Sequence, residues 1–287
     1  MIGYIMAAIA LIGMFYASWT DIKIREVPNR ISFSLIGLMI FLRLIYAANL
    51  GNFNFFWIAI AVGLGFLAMG LAFFYAQQWG GADIKLLVVL GLGFAVLPPE
   101  FNPMYIAKWP FFLTLLINFF IISVVWSLAY SIDMGFQNPK VFKDFRASLD
   151  RIELLAISFT STLVIASGFY YETLWMLLAI PAFWILIKFL KAVEKNCMYK
   201  TIAVDHLVEF DVPEKDIKVN GKTIVSKTDP NGVTPEQIKK LKKLADKGKI
   251  PETIKIKWGV PLIPVFPITL IISLFVGDLF FLFLSFF

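Results

Sequence analysis

The sequence is poor in the side chains from which disulfides and metal sites are built. Cys197 is the one cysteine, so neither a disulfide nor a Cys₄ zinc site can form within the chain. His206 is the one histidine, and it lies in a polar segment, so neither a His₂ metal site nor a His-based triad is expected. We therefore predict a protein that needs no metal and no other cofactor.

Charged residues are also scarce, at 16% of the 287 residues, whereas 59% are hydrophobic. A water-soluble domain normally has a larger fraction of charged residues and a smaller fraction of apolar residues than this. The formal net charge is +6, but the Lys and Arg residues lie mainly beside apolar runs and in one polar segment. This placement is typical of membrane topology. We expect lipid, and no nucleic acid, as the partner of these charges.

The apolar residues gather into eight runs that we predict to be transmembrane helices. The first run has no basic region before it and no convincing cleavage site, so we interpret it as a retained helix. The fourth is short for a bilayer. The runs cover residues 2–19, 31–49, 55–76, 84–97, 110–132, 152–168, 173–190 and 262–286. The predicted fold class is an all-α polytopic membrane protein of about six to eight transmembrane helices.

The loops differ in charge, and this difference predicts their sides of the membrane. The loops after the first and fifth runs are basic, so both should be cytoplasmic. Those after the second and sixth runs carry no Lys or Arg and should face outward. The basic residues are Lys23, Arg25 and Arg30 in one loop and Lys140, Lys143, Arg146 and Arg151 in the other. The linker at residues 77–83 then also falls on the cytoplasmic side.

A polar segment rich in Lys, Asp and Glu precedes the last apolar run. It begins with short β-prone stretches around a predicted turn at Asn220-Gly221. A helix should follow, with Thr234 as its N-cap and Gln237 closing a capping box. We therefore predict a membrane domain at 1–190, a small α+β cytoplasmic subdomain at 191–258, and a C-terminal transmembrane helix at 259–287.

Two carboxylates at the ends of predicted spans are the main candidates for chemistry. Asp21 ends the first run, before a basic stretch and the turn-forming pair Pro28-Asn29. Asp83 closes Gly80-Gly81-Ala82-Asp83, whose small residues would allow another backbone to approach closely. Taken singly, each acid would more often be a surface charge or a helix cap.

Together these segments resemble the archaeal type IV prepilin and preflagellin peptidases, a branch of the prepilin peptidase family of membrane aspartyl proteases. The similar residues are the run at 21–29, with its aspartate, basic residues and Val-Pro-Asn, and the run at 80–85, from Gly80 to Lys85. The segment at 256–266 is similar to the start of the family's final helix. Ala82 departs from the stricter family signature, which has a second glycine there.

The resemblance implies that Asp21 and Asp83 are the catalytic carboxylates of an endopeptidase. One would activate a water molecule while the other, protonated, stabilises the developing oxyanion. The substrates would be prepilin or preflagellin-like precursors, cut at a short basic leader on the cytoplasmic side. Cleavage without N-methylation is expected, because the cysteine-rich loop of bacterial members is missing. The residues that could bind substrate or shape the site are Gly80, Gly81, Ala82, Lys85, Arg25, Pro28 and Asn29.

Other readings of the same residues stay open at this point. Paired acids could serve a cation- or proton-coupled transporter, and a membrane scaffold would need neither aspartate. Asp278 is another candidate for a buried catalytic acid, but we expect it to lie near the outer face of the membrane, far from the other two acids. Asp133 and Glu153 fit solvated helix ends, and Asn118 should bond between helices. Lys85 is expected to extend its charged end to the membrane interface.

Overall fold

The computed structural model of the chain describes residues 1–106, 109–169, 177–219, 221–229 and 232–285. Two compact units divide the chain, one formed by Met1–Ser127 with Pro261–Phe287 and the other by Leu128–Val260. The described residues are mostly helical, with short strands before the last helices, which confirms the predicted fold class. The proposed domain limits at 190 and 258 stay a prediction.

The helices and strands of the described residues follow one another in this order: α1 Ile2–Ile24, α2 Asn29–Asn49, α3 Asn54–Tyr75, α4 Gly81–Phe94, α5 Phe111–Gln137, α6 Pro139–Ser148, α7 Arg151–Gly168, α8 Ala179–Cys197, β1 Tyr199–Ala203, β2 Ile217–Val219, β3 Lys222–Val225, α9 Pro235–Asp246, β4 Thr253–Lys257, α10 Val265–Phe275 and α11 Leu279–Leu284.

Four helices of the described residues, α1, α2, α3 and α5, are long and apolar enough to cross a membrane. They coincide with the first, second, third and fifth predicted spans. The fourth predicted span is α4, which is short, as expected, at 14 residues. The sixth coincides with α7. The seventh was predicted from residue 173, and its beginning lies outside the described residues.

The first unit is organised around α4, which packs against α1, α2, α3 and α10. Glycines let α3 and α4 approach closely, because a Cβ atom added at Gly91 would lie 3.2 Å from the Cα of Gly63. Most of α4 is buried, including Leu87 and Leu90, which are fully enclosed. This surrounding contact fixes the helix, and with it the first turn that carries Asp83.

The last apolar run forms two helices, α10 and α11, where the sequence predicts one. Gly277 separates them at φ +97°, and a Cβ atom there would lie 2.1 Å from the Tyr105 carbonyl oxygen. Asp278 then begins α11 by accepting hydrogen bonds from the amides of Phe280 and Phe281, at 3.0 and 3.2 Å. Periodicity cannot reveal this break, because apolar residues continue on both sides of it.

The second unit combines helices with a small α+β part. In that part β1 pairs antiparallel with β4, and β2 with β3. The β2–β3 turn contains Gly221 at φ +77°, as its predicted role requires, whereas Asn220 lies outside the described residues. Thr234 and Gln237 form the predicted capping box of α9. Leu241 of α9 is buried in the core of this part, beside Ile256 of β4.

We expect Thr234→Ala to loosen the first turn of α9, because the Thr234 hydroxyl accepts the Gln237 amide at 3.3 Å. Loss of an N-cap costs about 1 kcal/mol, so amide hydrogen exchange in this turn should become about fivefold faster. The comparison is made on the full chain, with Thr234→Ser as the control that keeps the capping oxygen. Unchanged exchange in Thr234→Ala would contradict the assignment of the cap.

We expect Asp278→Ala to destabilise the first unit by about 3 kcal/mol, since it removes a buried acceptor of several hydrogen bonds and leaves their donors unpaired. One carboxylate oxygen accepts from Trp109 Nε1 and Thr114 Oγ1, both at 3.0 Å. Asp278→Asn keeps the oxygen that caps α11, so it should lower the free energy of unfolding by about half as much. Thermal unfolding in detergent measures both, and equal stability of Asp278→Ala and wild type would exclude this structural role.

Candidate functional site

Asp21 lies in the last turns of α1, with its side chain partly buried. The helix ends four residues later at Arg25, which adopts the left-handed conformation at φ 59° and donates its amide to the Asp21 carbonyl at 3.0 Å. The Asp21 carboxylate accepts the backbone amide of Ile263 at 3.3 Å. The guanidinium of Arg25 is also within electrostatic range of this carboxylate. Asp21 is thus tied to the segment that leads into α10.

Asp83 lies in the first turn of α4, and its side chain is buried. One of its carboxylate oxygens accepts the Gly80 amide at 2.7 Å. This is the helix-capping contact that the sequence offered as the simpler explanation of the residue. The contact does not exclude chemistry, because it uses one oxygen and restrains the direction of the other.

The small residues before Asp83 leave room for another backbone to approach, as predicted, and no neighbouring backbone of the described residues fills that room. Among the described residues, nothing lies within 4 Å of a Cβ atom added at Gly81, and one added at Gly80 would meet only the Asp83 carboxylate, at 3.5 Å. The space beside the first turn of α4 is therefore open. An extended peptide could approach Asp83 at this point.

The fold brings the two acids together although they are far apart in the sequence. Helices α1 and α4 pack against each other in the first unit, and Asp83 lies within electrostatic range of Asp21. Two carboxylates in direct contact do not both ionise cheaply, so such a pair would share a proton. A pair that holds one proton can supply a base and an acid to the same reaction.

A further polar contact links the first turn of α4 to the start of α2. The Lys85 ammonium donates a hydrogen bond to the side-chain oxygen of Asn29, and it lies 5.0 Å from the centre of the Phe33 ring. Lys85 was predicted to extend to the membrane interface and was also named as a residue that could shape the site. Pro28, directly before Asn29, is the N-cap of α2, with backbone angles φ −56° and ψ 127°.

A cluster of aromatic rings surrounds Trp79, which precedes the first turn of α4 in the sequence. The ring of Trp79 stacks on Phe73 with centroids 4.4 Å apart and meets Phe119 edge-on at 5.5 Å. Trp79 therefore joins the ends of α3 and α4 to α5. These ring contacts fix the linker before Gly80.

The remaining candidates take structural positions. Asn118 bonds between helices, as predicted, by donating to Ser273 Oγ at 2.9 Å. Asp133 accepts from Gln137 within α5, and Glu153 pairs with Lys188 at 2.9 Å. In the part of the chain that the structure describes, no three His, Cys, Asp or Glu side chains converge as a metal site would require.

The contact that sequence reasoning missed is the one between Asp21 and the Ile263 amide. Every residue type except proline carries a backbone amide, so the identity of residue 263 does not show what its amide contacts. Neither composition nor periodicity therefore indicates this hydrogen bond. The only signal was the similarity of the segment at 256–266 to the family's final helix.

Comparison with known proteins gives two family matches and one similar curated protein. Residues 8–132 match the Type IV leader peptidase family, and residues 178–279 match the Archaeal Peptidase A24 C-terminus Type II family. The chain is 22% identical to "Prepilin peptidase EppA" of Methanothermobacter thermautotrophicus, and the alignment covers 94% of each chain. No solved structure matches.

The matches cover both ends of the chain, including the helices that carry Asp21 and Asp83 and the segment that contacts Asp21. The four apolar helices are those of a membrane protein, as is expected of a membrane peptidase. The chain belongs to the type IV leader peptidase family, in its archaeal branch.

Proposed function

We propose that this membrane peptidase is an aspartyl endopeptidase that removes the leader from prepilin or preflagellin-like precursors, with Asp21 and Asp83 as the catalytic pair. Family membership supports the peptidase activity. The observation that supports the aspartyl mechanism is the approach of the Asp83 carboxylate to within electrostatic range of Asp21, at the ends of α4 and α1.

In the first step the ionised carboxylate of the pair takes a proton from a water molecule, whose oxygen bonds to the scissile carbonyl carbon. The carbonyl π electrons move to the carbonyl oxygen, which receives a hydrogen bond from the protonated carboxyl group. In the second step the C–N bond breaks, the carbonyl re-forms, and the leaving nitrogen takes a proton from the pair. The products are a carboxylic acid and an amine, and the pair again holds one proton.

The backbone contacts of the two acids suggest how they are held for this reaction. Asp21 is oriented by the Ile263 amide and Asp83 by the Gly80 amide, so each keeps oxygen lone pairs for water or substrate. The open space beside Gly81 is where an extended peptide would approach the first turn of α4. The positions of the two acids relative to the scissile bond, rather than any strong nucleophile, would supply most of the rate enhancement.

The proposal places the pair at the cytoplasmic face of a multi-pass membrane protein. Lys23 in the last turn of α1, Arg25 directly after it and Arg30 in the first turn of α2 make this end of the two helices basic, and positive segments beside a span stay in the cytoplasm. A substrate with a basic leader before an apolar helix would then be cut where its helix leaves the membrane. The transporter reading fits less well, since both acids lie in the terminal turns of their helices and not near the middle of a span.

We expect Asp21→Asn and Asp83→Asn each to lower the rate of precursor cleavage by about a thousandfold, because each removes one half of the acid–base pair. The matched control is Asp133→Asn, which changes an exposed acid of α5 and should cleave at the wild-type rate. Cleavage is measured in membranes at equal amounts of folded protein. Retained activity in both variants would overturn the aspartyl mechanism, whereas no activity in the wild type would overturn the choice of substrate.

We expect Lys85→Met to slow cleavage by about tenfold through kcat, with little change in KM, because the loss of its bond to Asn29 lets the start of α2 move relative to the first turn of α4. Asn29→Ala should have the same effect, and the double variant should be no slower than either alone. Lys23→Met is the control, since Lys23 is exposed and stacks on Trp19 instead. Additive losses would show that the two residues act separately.

A further inference from the structure

A short amphipathic helix, α6, follows α5 in the second unit at a place that the sequence analysis treated as a basic loop. Asn138 caps it by accepting the Lys140 amide at 3.1 Å. Val141 is fully buried and Phe145 is partly buried, in a cluster with Ala192 and Val193 of α8. One side of α6 is therefore covered by the protein itself.

The opposite side of α6 carries three exposed cations at a spacing of three residues, Lys140, Lys143 and Arg146. This spacing places neighbouring cations close together on the helix surface. The single acid of the helix, Asp144, is engaged by Lys195 at 2.8 Å. None of the three cations forms an ion pair with any residue that the structure describes. The helix thus presents a net positive face.

Two phenylalanines lie at the edge of this positive face. Phe142 of α6 is 41% exposed and Phe136 at the end of α5 is 70% exposed, and their ring centroids are 5.4 Å apart. At 100° per residue, Phe142 falls between the buried arc and the cations. An exposed aromatic pair beside cations is the pattern of a helix that lies in the membrane interface, with rings among the acyl chains and charges among the headgroups.

The place of α6 in the chain agrees with this pattern. It begins two residues after the last residue of α5, a helix long enough to cross a membrane. We propose that α6 is an interfacial helix that binds anionic phospholipid headgroups through Lys140, Lys143 and Arg146, with Phe136 and Phe142 inserted at the acyl boundary. The binding does not depend on the peptidase mechanism. A soluble polyanion could also bind the three cations, but the two phenylalanine rings would then stay exposed to water.

The first test measures lipid selectivity of the full-length protein in nanodiscs that contain phosphatidylcholine and spin-labelled phosphatidylglycerol. The wild type should prefer the anionic lipid, and Lys140→Gln/Lys143→Gln/Arg146→Gln should reduce this preference by at least about tenfold. The matched control is Lys239→Gln/Lys240→Gln/Lys243→Gln, which removes three exposed charges from α9 and should change the preference by less than about twofold. No preference in the wild type, or an equal loss in the control, would overturn the proposal.

The second test asks whether the rings enter the membrane. A spin label at Phe142→Cys, in a Cys197→Ala background, should collide more often with lipid-soluble oxygen than with a water-soluble nickel chelate. The reverse accessibility would assign the cations to a soluble polyanion and would contradict insertion. Measurement in neutral and in anionic nanodiscs should show deeper insertion with the anionic lipid, because the headgroups then hold the cations at the surface.

Discussion

The close packing of α4 against its neighbours is the constraint on which the proposed site depends. Helix α3 can approach it because Gly63 and Gly91 face each other, so that even one added Cβ atom would press on the opposite backbone. In lipid, where apolar surface gains little from leaving the solvent, such close backbone contact is a main source of helix association. A helix enclosed in this way cannot rotate without losing many contacts. Asp83 is therefore fixed with respect to α1 and Asp21.

The two acids are held by backbone amides that come from distant parts of the chain. Asp83 uses the amide of Gly80 in its own first turn, whereas Asp21 uses that of Ile263, before the C-terminal helices. The site is thus assembled from the start, the middle and the end of the sequence. The two family matches, at 8–132 and 178–279, include both aspartates and the segment that contacts Asp21. Backbone donors keep their place when neighbouring side chains vary, which suits a pair whose spacing must be preserved.

Features that depend on local sequence pattern could be predicted from the sequence. These were the long apolar helices, the Thr234 cap and the two candidate acids. Sequence reasoning missed features that depend on tertiary contact. The break at Gly277 arises where the chain meets the Tyr105 carbonyl, and the helix α6 is too short and too polar to stand out among basic residues. The approach of Asp21 to Asp83 could only be inferred from family resemblance, since periodicity assigns faces to helices but does not say which helices meet.

The meeting of the two acids is the central claim, and cysteine cross-linking tests it most directly, because Cys197 is the one native thiol. Asp21→Cys with Asp83→Cys, in a Cys197→Ala background, should be joined efficiently by a short bifunctional thiol reagent in membranes. Asp21→Cys with Glu100→Cys is the negative control, since Glu100 binds the amide of Gly3 at the opposite end of α1, about 27 Å away along the helix. A cross-link in the first pair alone would support a shared site. Failure of the first pair, with both thiols reactive, would contradict it.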